Sequence, residues 1–117
     1  LQCIHNVSAV TAACALFRTE VFNEVGGFQE KYRINYNDVD LCLRLVEAGY
    51  RNVYLPQVSL IHYESISRGL PNTKGHDGSE FDLAQRTFKK EWNKYIEHDP
   101  ALNPNISRNT PYFDIKI

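Results

Sequence analysis

"INYNDVDLCLRLVEAGYRNVYLP", residues 34–56, carries the most regular pattern in this 117-residue chain. Val39, Cys42, Leu43 and Val46 recur at helical spacing, and Gly49 follows as a stop. Asn37 stands where an N-cap would, with Asp40 three residues later in the layout of a capping box. "YRNVYLP" then reads as a short strand halted by Pro56. Asp38 and Asp40 both lie in the first helical turn, where the exposed amides and the dipole favour either carboxylate. Two residues apart on a helix they face different ways. The cap needs only Asn37 and Asp40, which leaves Asp38 open to a structural role or to one at the strand-to-helix edge where α/β folds gather ligands.

Outward from this stretch, "VSAVTAACALFR" (residues 7–18) is rich in β-branched and small residues and predicts a largely buried strand. Ala9, Ala12, Ala13 and Ala15 would let a neighbouring element or ligand come close. Thr19 can cap a short helix that presents Val21, Phe22 and Val25, stops at Gly26 and Gly27, and has Phe28 tucked back beneath it. On the other side, "VSLIHYE" (58–64) predicts a second extended stretch. A glycine-containing loop of roughly sixteen residues follows, of a length that is often functional or disordered. Ser79, with Asp82, then caps a helix whose apolar stripe is Phe81, Ala84, Phe88, Trp92 and Tyr95. The proline- and asparagine-rich tail reads as a cover. The fold class is α/β, with the direction of strand pairing left open.

Composition narrows the function classes. At 43% hydrophobic and 23% charged residues, the chain fits one soluble globular domain. A net charge of −1 gives no electrostatic case for nucleic acid. No apolar run approaches the ~20 residues of a spanning helix. The chain opens on Leu1, so a piece of a longer protein is expected. Cys3, Cys14 and Cys42 are odd in number and form no CxxC pair, which predicts three reduced thiols and a cytoplasmic setting.

Three further residues bear on chemistry. His62, followed by Tyr63 and Glu64, reads first as a hydrogen-bonded structural residue, with the alternatives a phosphate contact or one ligand of a metal whose other ligands come from elsewhere. Arg68 reads as a solvated loop arginine or as a guanidinium gripping a diphosphate. His76 and Asp77 fit a ligand contact or a simple turn.

Taken together, "VSAVTAACALFRTEVFNEVGGFQEKY", "YNDVDLCLRLVEAGYRNVYLP", "IHYESISRG" and "DPALNPNIS" resemble, in order and spacing, the second half of family-2 glycosyltransferases, particularly rhamnosyltransferase-like members. The resemblance covers nearly the whole chain. It implies a partial A-type glycosyltransferase fold, an incomplete Rossmann-like sheet with flanking helices. Residues 1–69 would be the acceptor-side α/β core, and 70–117 a loop, amphipathic helix and covering tail. An "ED" pair precedes the helix in such enzymes, and its aspartate is the base. Asn37-Asp38 matches it, so Asp38 inherits that role and Asn37 replaces the usual glutamate. Thr11, Ala12 and Ala13 fall on the acceptor-lining segment, with Ala12 in a glycine's place. His62 falls on a metal or diphosphate position, and Arg68 on a diphosphate-binding one.

The implied parent is an inverting enzyme that moves a sugar from a nucleotide-sugar donor to a glycan or lipid-linked acceptor. Its cofactor would be a divalent metal, manganese or magnesium, and it would work in the cytoplasm or at the cytoplasmic face of a membrane. The nucleotide-binding half with its DxD-like motif is missing. "DVD" at Asp38–Asp40 has those letters but stands at the base position. The fragment should therefore be nearly inactive alone and should expose an apolar edge through which it self-associates. The alternatives are a non-catalytic carbohydrate-binding or protein-interaction module of the same shape, and a sugar nucleotidyltransferase.

Overall fold

The computed structural model describes residues 3–33, 35–63 and 78–106. In chain order its elements are β1 (His5–Val7), α1 (Thr19–Glu24), α2 (Asn37–Glu47), β2 (Asn52–Tyr54) and α3 (Gly78–Glu97), with 3₁₀ turns at Ala12–Cys14 and Glu30–Tyr32. This mixture of helices and sheet agrees with the α/β class. The two strands are antiparallel, with His5 opposite Tyr54 and Val7 opposite Asn52.

Helix α2 contributes more buried side chains than any other element among the described residues. Leu41, Cys42, Leu43 and Leu45 are all buried, so its apolar surface wraps further round than the four-residue stripe suggests. Gly49, at φ +88°, ends it in the left-handed conformation that glycine adopts without a Cβ penalty. There the Tyr50 amide reaches back to the Leu45 carbonyl at 2.9 Å, which satisfies one of the orphan acceptors of the last turn.

The stripe of α3 supplies the other wall: Phe88 and Trp92 are buried with Tyr32 and Leu43, and Tyr36, Val39, Ala84 and Tyr95 pack around them. Phe81 stays 44% exposed at the rim. The turn after α1 closes as expected on Gly26 and Gly27, both at positive φ. Gly27 is doubly constrained, because a Cβ there would stand 2.9 Å from the Phe22 ring. Phe28 does fold back onto Phe22, edge to face with centroids 5.5 Å apart.

Several expectations are corrected. Residues 7–18 are not one buried strand: pairing ends at Val7, and residues 11–16 are exposed. Local hydrogen bonds win there, since the Thr11 hydroxyl accepts from the Ala13 amide and turns the chain away from the ladder. The stretch 58–63 forms no strand, and its side chains are exposed. Thr19 is the first residue of α1, and Arg18 holds the cap position without a side-chain bond. The capping box at Asn37–Asp40 is absent: Asn37 lies inside α2, and Tyr36 occupies the cap position with no side-chain bond. The cap expected at Ser79 involves side chains outside the described set, as do Arg68, His76, Asp77 and the tail from 107 onward.

Candidate functional site

The first turn of α2 meets the N-terminal segment at Asp38. One Asp38 oxygen accepts from its neighbouring Val39 amide at 2.9 Å. The other accepts from the Ala12 amide at 3.1 Å, across 26 residues of sequence. Thr11 caps the 3₁₀ turn that presents this amide, through its hydroxyl and the Ala13 N–H. Thr11, Ala12, Ala13, Asn37 and Asp38 are thus brought to one place by two elements. Asp38 is only half-buried, so its carboxylate keeps a path to solvent. Each carboxylate oxygen has a second lone pair beyond the amide it already holds, which leaves room for a hydroxyl donor.

His62 does not join this group. It lies in the exposed stretch after β2, and no hydrogen bond among the described residues links it to Asp38. Among the described residues no cluster of three or more histidine, cysteine or acidic side chains could hold a metal ion. The described part of the chain therefore does not by itself make a divalent-metal site. Arg68 lies outside the described residues.

Asp40 has a different position and a different task. It is 1% exposed, deep between α2 and α3. One oxygen accepts from Arg44 Nε at 2.8 Å and the other from Trp92 Nε1 at 3.0 Å. Arg44 continues to the carbonyls of Val25 and Gly27, pinning the turn after α1. Every donor of this buried ion pair has a partner among the described atoms, the condition under which such a pair is tolerated. The cap role expected for Asp40 is thus replaced: buried indole and guanidinium donors compete better for the carboxylate than an exposed helix amide.

Two supports of the site carry little local sequence signal. Tyr36 enters α2 at φ +68°, ψ −4°, left-handed backbone that a tyrosine seldom adopts. Its ring stacks on Phe88, centroids 4.8 Å apart and planes 20° from parallel. Asn52 is buried and donates to the carbonyls of Ser8 and Cys42, tying β1 to the middle of α2. An asparagine in an otherwise apolar strand was the one available hint. Beside it, burial raises the Cys42 thiol above its ordinary range, so this cysteine stays protonated and acts as core. All three cysteines are free.

A solvent-open cleft of about 520 Å³ is lined by Asp40 with Gln29, Lys31, Arg44, Glu47, Glu91, Trp92 and Lys94. Its exposed lysines are already paired, Lys31 with Glu91 and Lys94 with Glu47. Among the described residues no helix is long and apolar enough to cross a membrane.

With this geometry established, comparison with known proteins is informative. The chain is 46% identical over 100 residues to the rhamnosyltransferase WbbL of Escherichia coli, covering 84% of the chain and 34% of that protein. It is 36% identical over 109 residues to the O-antigen biosynthesis protein RfbC of Myxococcus xanthus, covering 93% of the chain and 7% of that protein. It is also 40% identical over 108 residues to an uncharacterized Sinorhizobium fredii protein, y4gI, covering 92% of the chain and 12% of that protein. The chain thus spans about a third of the length of one of these relatives and less of the others. No family model matches the chain. No solved structure gives a significant match. Over most of its length the chain is a homologue of a portion of proteins named rhamnosyltransferase and O-antigen biosynthesis protein.

Proposed function

We propose that this chain is the acceptor-side portion of an inverting family-2 glycosyltransferase of the A-type fold, with Asp38 as its base. The complete enzyme moves a sugar from a nucleotide-sugar to a hydroxyl of a glycan or lipid-linked saccharide. Asp38 takes the hydroxyl proton as the acceptor oxygen attacks the anomeric carbon. The bond from that carbon to the diphosphate breaks, the nucleotide diphosphate leaves with the electron pair, and the anomeric configuration inverts. Residues 1–69 form the acceptor side, with Thr11, Ala12, Ala13 and Asn37 touching substrate, and 70–117 cover it.

The observation that carries this reading is the bond from the Ala12 amide to Asp38. It joins the segment expected to line the acceptor pocket to the residue expected to deprotonate the acceptor. A general base works only when held within hydrogen-bond reach of the proton it takes. A carboxylate fixed by two backbone amides and still open to solvent is held in one place and can be approached by a hydroxyl, which supports this reading.

A divalent metal, manganese or magnesium, belongs to the reading as a cofactor of the complete enzyme, where it would neutralise the leaving diphosphate. His62 offers one donor to it; the remaining ligands, and the diphosphate contact assigned to Arg68, are to be sought outside the described residues. The same reading puts the enzyme in the cytoplasm or at the cytoplasmic face of a membrane.

The test is Asp38→Asn in the complete protein. The amide keeps the size of the carboxylate and loses the proton acceptor, so transfer should fall by about 10²–10⁴-fold, the usual contribution of a general base. Donor affinity, measured by calorimetry with the nucleotide diphosphate, should stay within about twofold. Undiminished transfer would overturn the base assignment and favour the non-catalytic binding module.

A further inference from the structure

The geometry points to Tyr36 as a positioning residue for Asp38: its left-handed backbone and its stack on Phe88 fix where α2 begins, and so where the Asp38 carboxylate lies. This inference rests on Asp38 being the base. Tyr36 sits two residues before Asp38 at φ +68°. Its carbonyl accepts the Asp40 amide at 2.8 Å, the first hydrogen bond of α2. A non-glycine residue keeps such a conformation only where its surroundings over-determine it, and such residues concentrate at functional sites.

Here the surroundings are aromatic. The Tyr36 ring lies 4.8 Å from the ring of Phe88, which is itself buried and contacts Tyr32 edge to face. Phe81 approaches from the rim at 6.4 Å. Without the stack the backbone at residue 36 is no longer confined to this one conformation, and the first turn of α2 is free to unwind or shift. Asp38 would then move away from the Ala12 amide, which holds it by a single bond. The ring does this work, and the phenol oxygen is not needed for it.

Three variants of the complete protein test the assignment. Tyr36→Gly keeps the left-handed backbone accessible and removes the ring; Phe88→Leu removes the stacking surface while retaining apolar bulk; Tyr36→Phe keeps the ring. The expected result is a fall in kcat of about 10²-fold for Tyr36→Gly, since displacements near 1 Å cost that much in rate. The KM for the donor should hold, and faster hydrogen–deuterium exchange should be confined to peptides spanning residues 10–14 and 36–40. Phe88→Leu should follow in the same direction, and Tyr36→Phe should restore kcat to within about twofold of the native protein. A kcat unchanged in Tyr36→Gly, or one lost equally in Tyr36→Phe, overturns the inference. A uniform rise in exchange across α2 and α3 overturns it too, because it marks a general structural role. If Asp38→Asn loses transfer while Tyr36→Gly keeps it, only the positioning role falls; if Asp38→Asn keeps transfer, the base assignment falls first.

Discussion

Asp38 and Asp40 share one helical turn, yet they anchor opposite kinds of region. Asp40 faces the α2–α3 interior, where it is 1% exposed and both oxygens take side-chain donors from Arg44 and Trp92. Asp38 faces the N-terminal segment, is half-buried, and takes both donors from backbone amides. Side-chain donors in a dry interior make a carboxylate a structural strut. Backbone donors at an open edge orient a carboxylate and leave it able to react. Burial and the origin of the donors distinguish these two acids, whereas charge, residue type and helix position do not.

The sharpest way to break this comparison is to neutralise each acid and ask what is lost. Asp38→Asn should reduce transfer by about 10²–10⁴-fold in the complete protein. Its urea midpoint should move little, because it gives up hydrogen bonds worth about 1 kcal/mol each. Asp40→Ala should do the reverse. Removing one partner of a buried ion pair strands the other, at about 3–5 kcal/mol. Arg44 and the Trp92 indole would both lose their acceptor, and urea unfolding should report the difference. Equal stability losses for the two variants would erase the distinction drawn between them.

Much of the α2–α3 side was legible in sequence, and the edge much less so. The reach of α2, its stop at Gly49, the turn at Gly26–Gly27 and the stripe of Phe88 and Trp92 all follow from periodicity and glycine chemistry, which are local. The role of Asp40 is not local: its indole partner lies 52 residues away, and a capping box is the nearest explanation available to a reader of neighbours. The supposed strand at residues 7–18 misled for the opposite reason. Its composition suits a strand, but the Thr11 hydroxyl and the Asp38 carboxylate capture its amides instead. Tyr36 was invisible because left-handed backbone is ordinarily signalled by glycine or asparagine. The pairing of Asp38 with Thr11–Ala13 came from family resemblance, since no spacing rule joins segments 26 residues apart.

The exposed side offers a second, smaller contrast. From β2 onward Val53, Tyr54, Leu55, Val58, Leu60, Ile61 and Tyr63 are all exposed, with Ile61 at 79% and Leu60 at 69%. So many apolar side chains along one stretch are unusual for a surface that stays in water. The relatives extend well beyond the span matched here, and in a longer protein further chain can cover this stretch. The isolated 117-residue chain should therefore self-associate, with a mass that rises with concentration in sedimentation velocity. Ile61→Lys should weaken association about tenfold, equivalent to about 1.4 kcal/mol, while leaving the urea midpoint of the monomer unchanged. A monomer across the whole concentration range would show that this edge needs no cover.

The smallest effect probes the rim of the α2–α3 side, where Lys31 and the Tyr32 hydroxyl both donate to Glu91, at 2.6 and 2.8 Å. The bonded Lys31 ammonium, and then the Tyr32 hydroxyl, hold the Glu91 carboxyl below its ordinary value of 4.5. Burial and the Glu91 carboxylate push the Tyr32 phenol above its ordinary 10.0. A carboxyl depressed in the folded state adds stability that is present above pH 4.5 and lost as pH falls through the folded value. A phenol raised in the folded state adds stability that is present below pH 10.0 and lost as pH rises toward the folded value. Both ion-pair partners are more than a third exposed, so solvent screening limits the pair to less than about 1 kcal/mol. Glu91→Gln should accordingly flatten the acid limb of a stability–pH profile by that amount and shift the Tyr32 titration back toward 10.0. Because Gln can still accept from the phenol, the packing of Tyr32 against Phe88 should survive. An acid limb that stayed equally steep in Glu91→Gln would assign the loss to other carboxylates. The contrast between the open edge at Asp38 and the interior would then rest on Asp40 with its Arg44 and Trp92 donors.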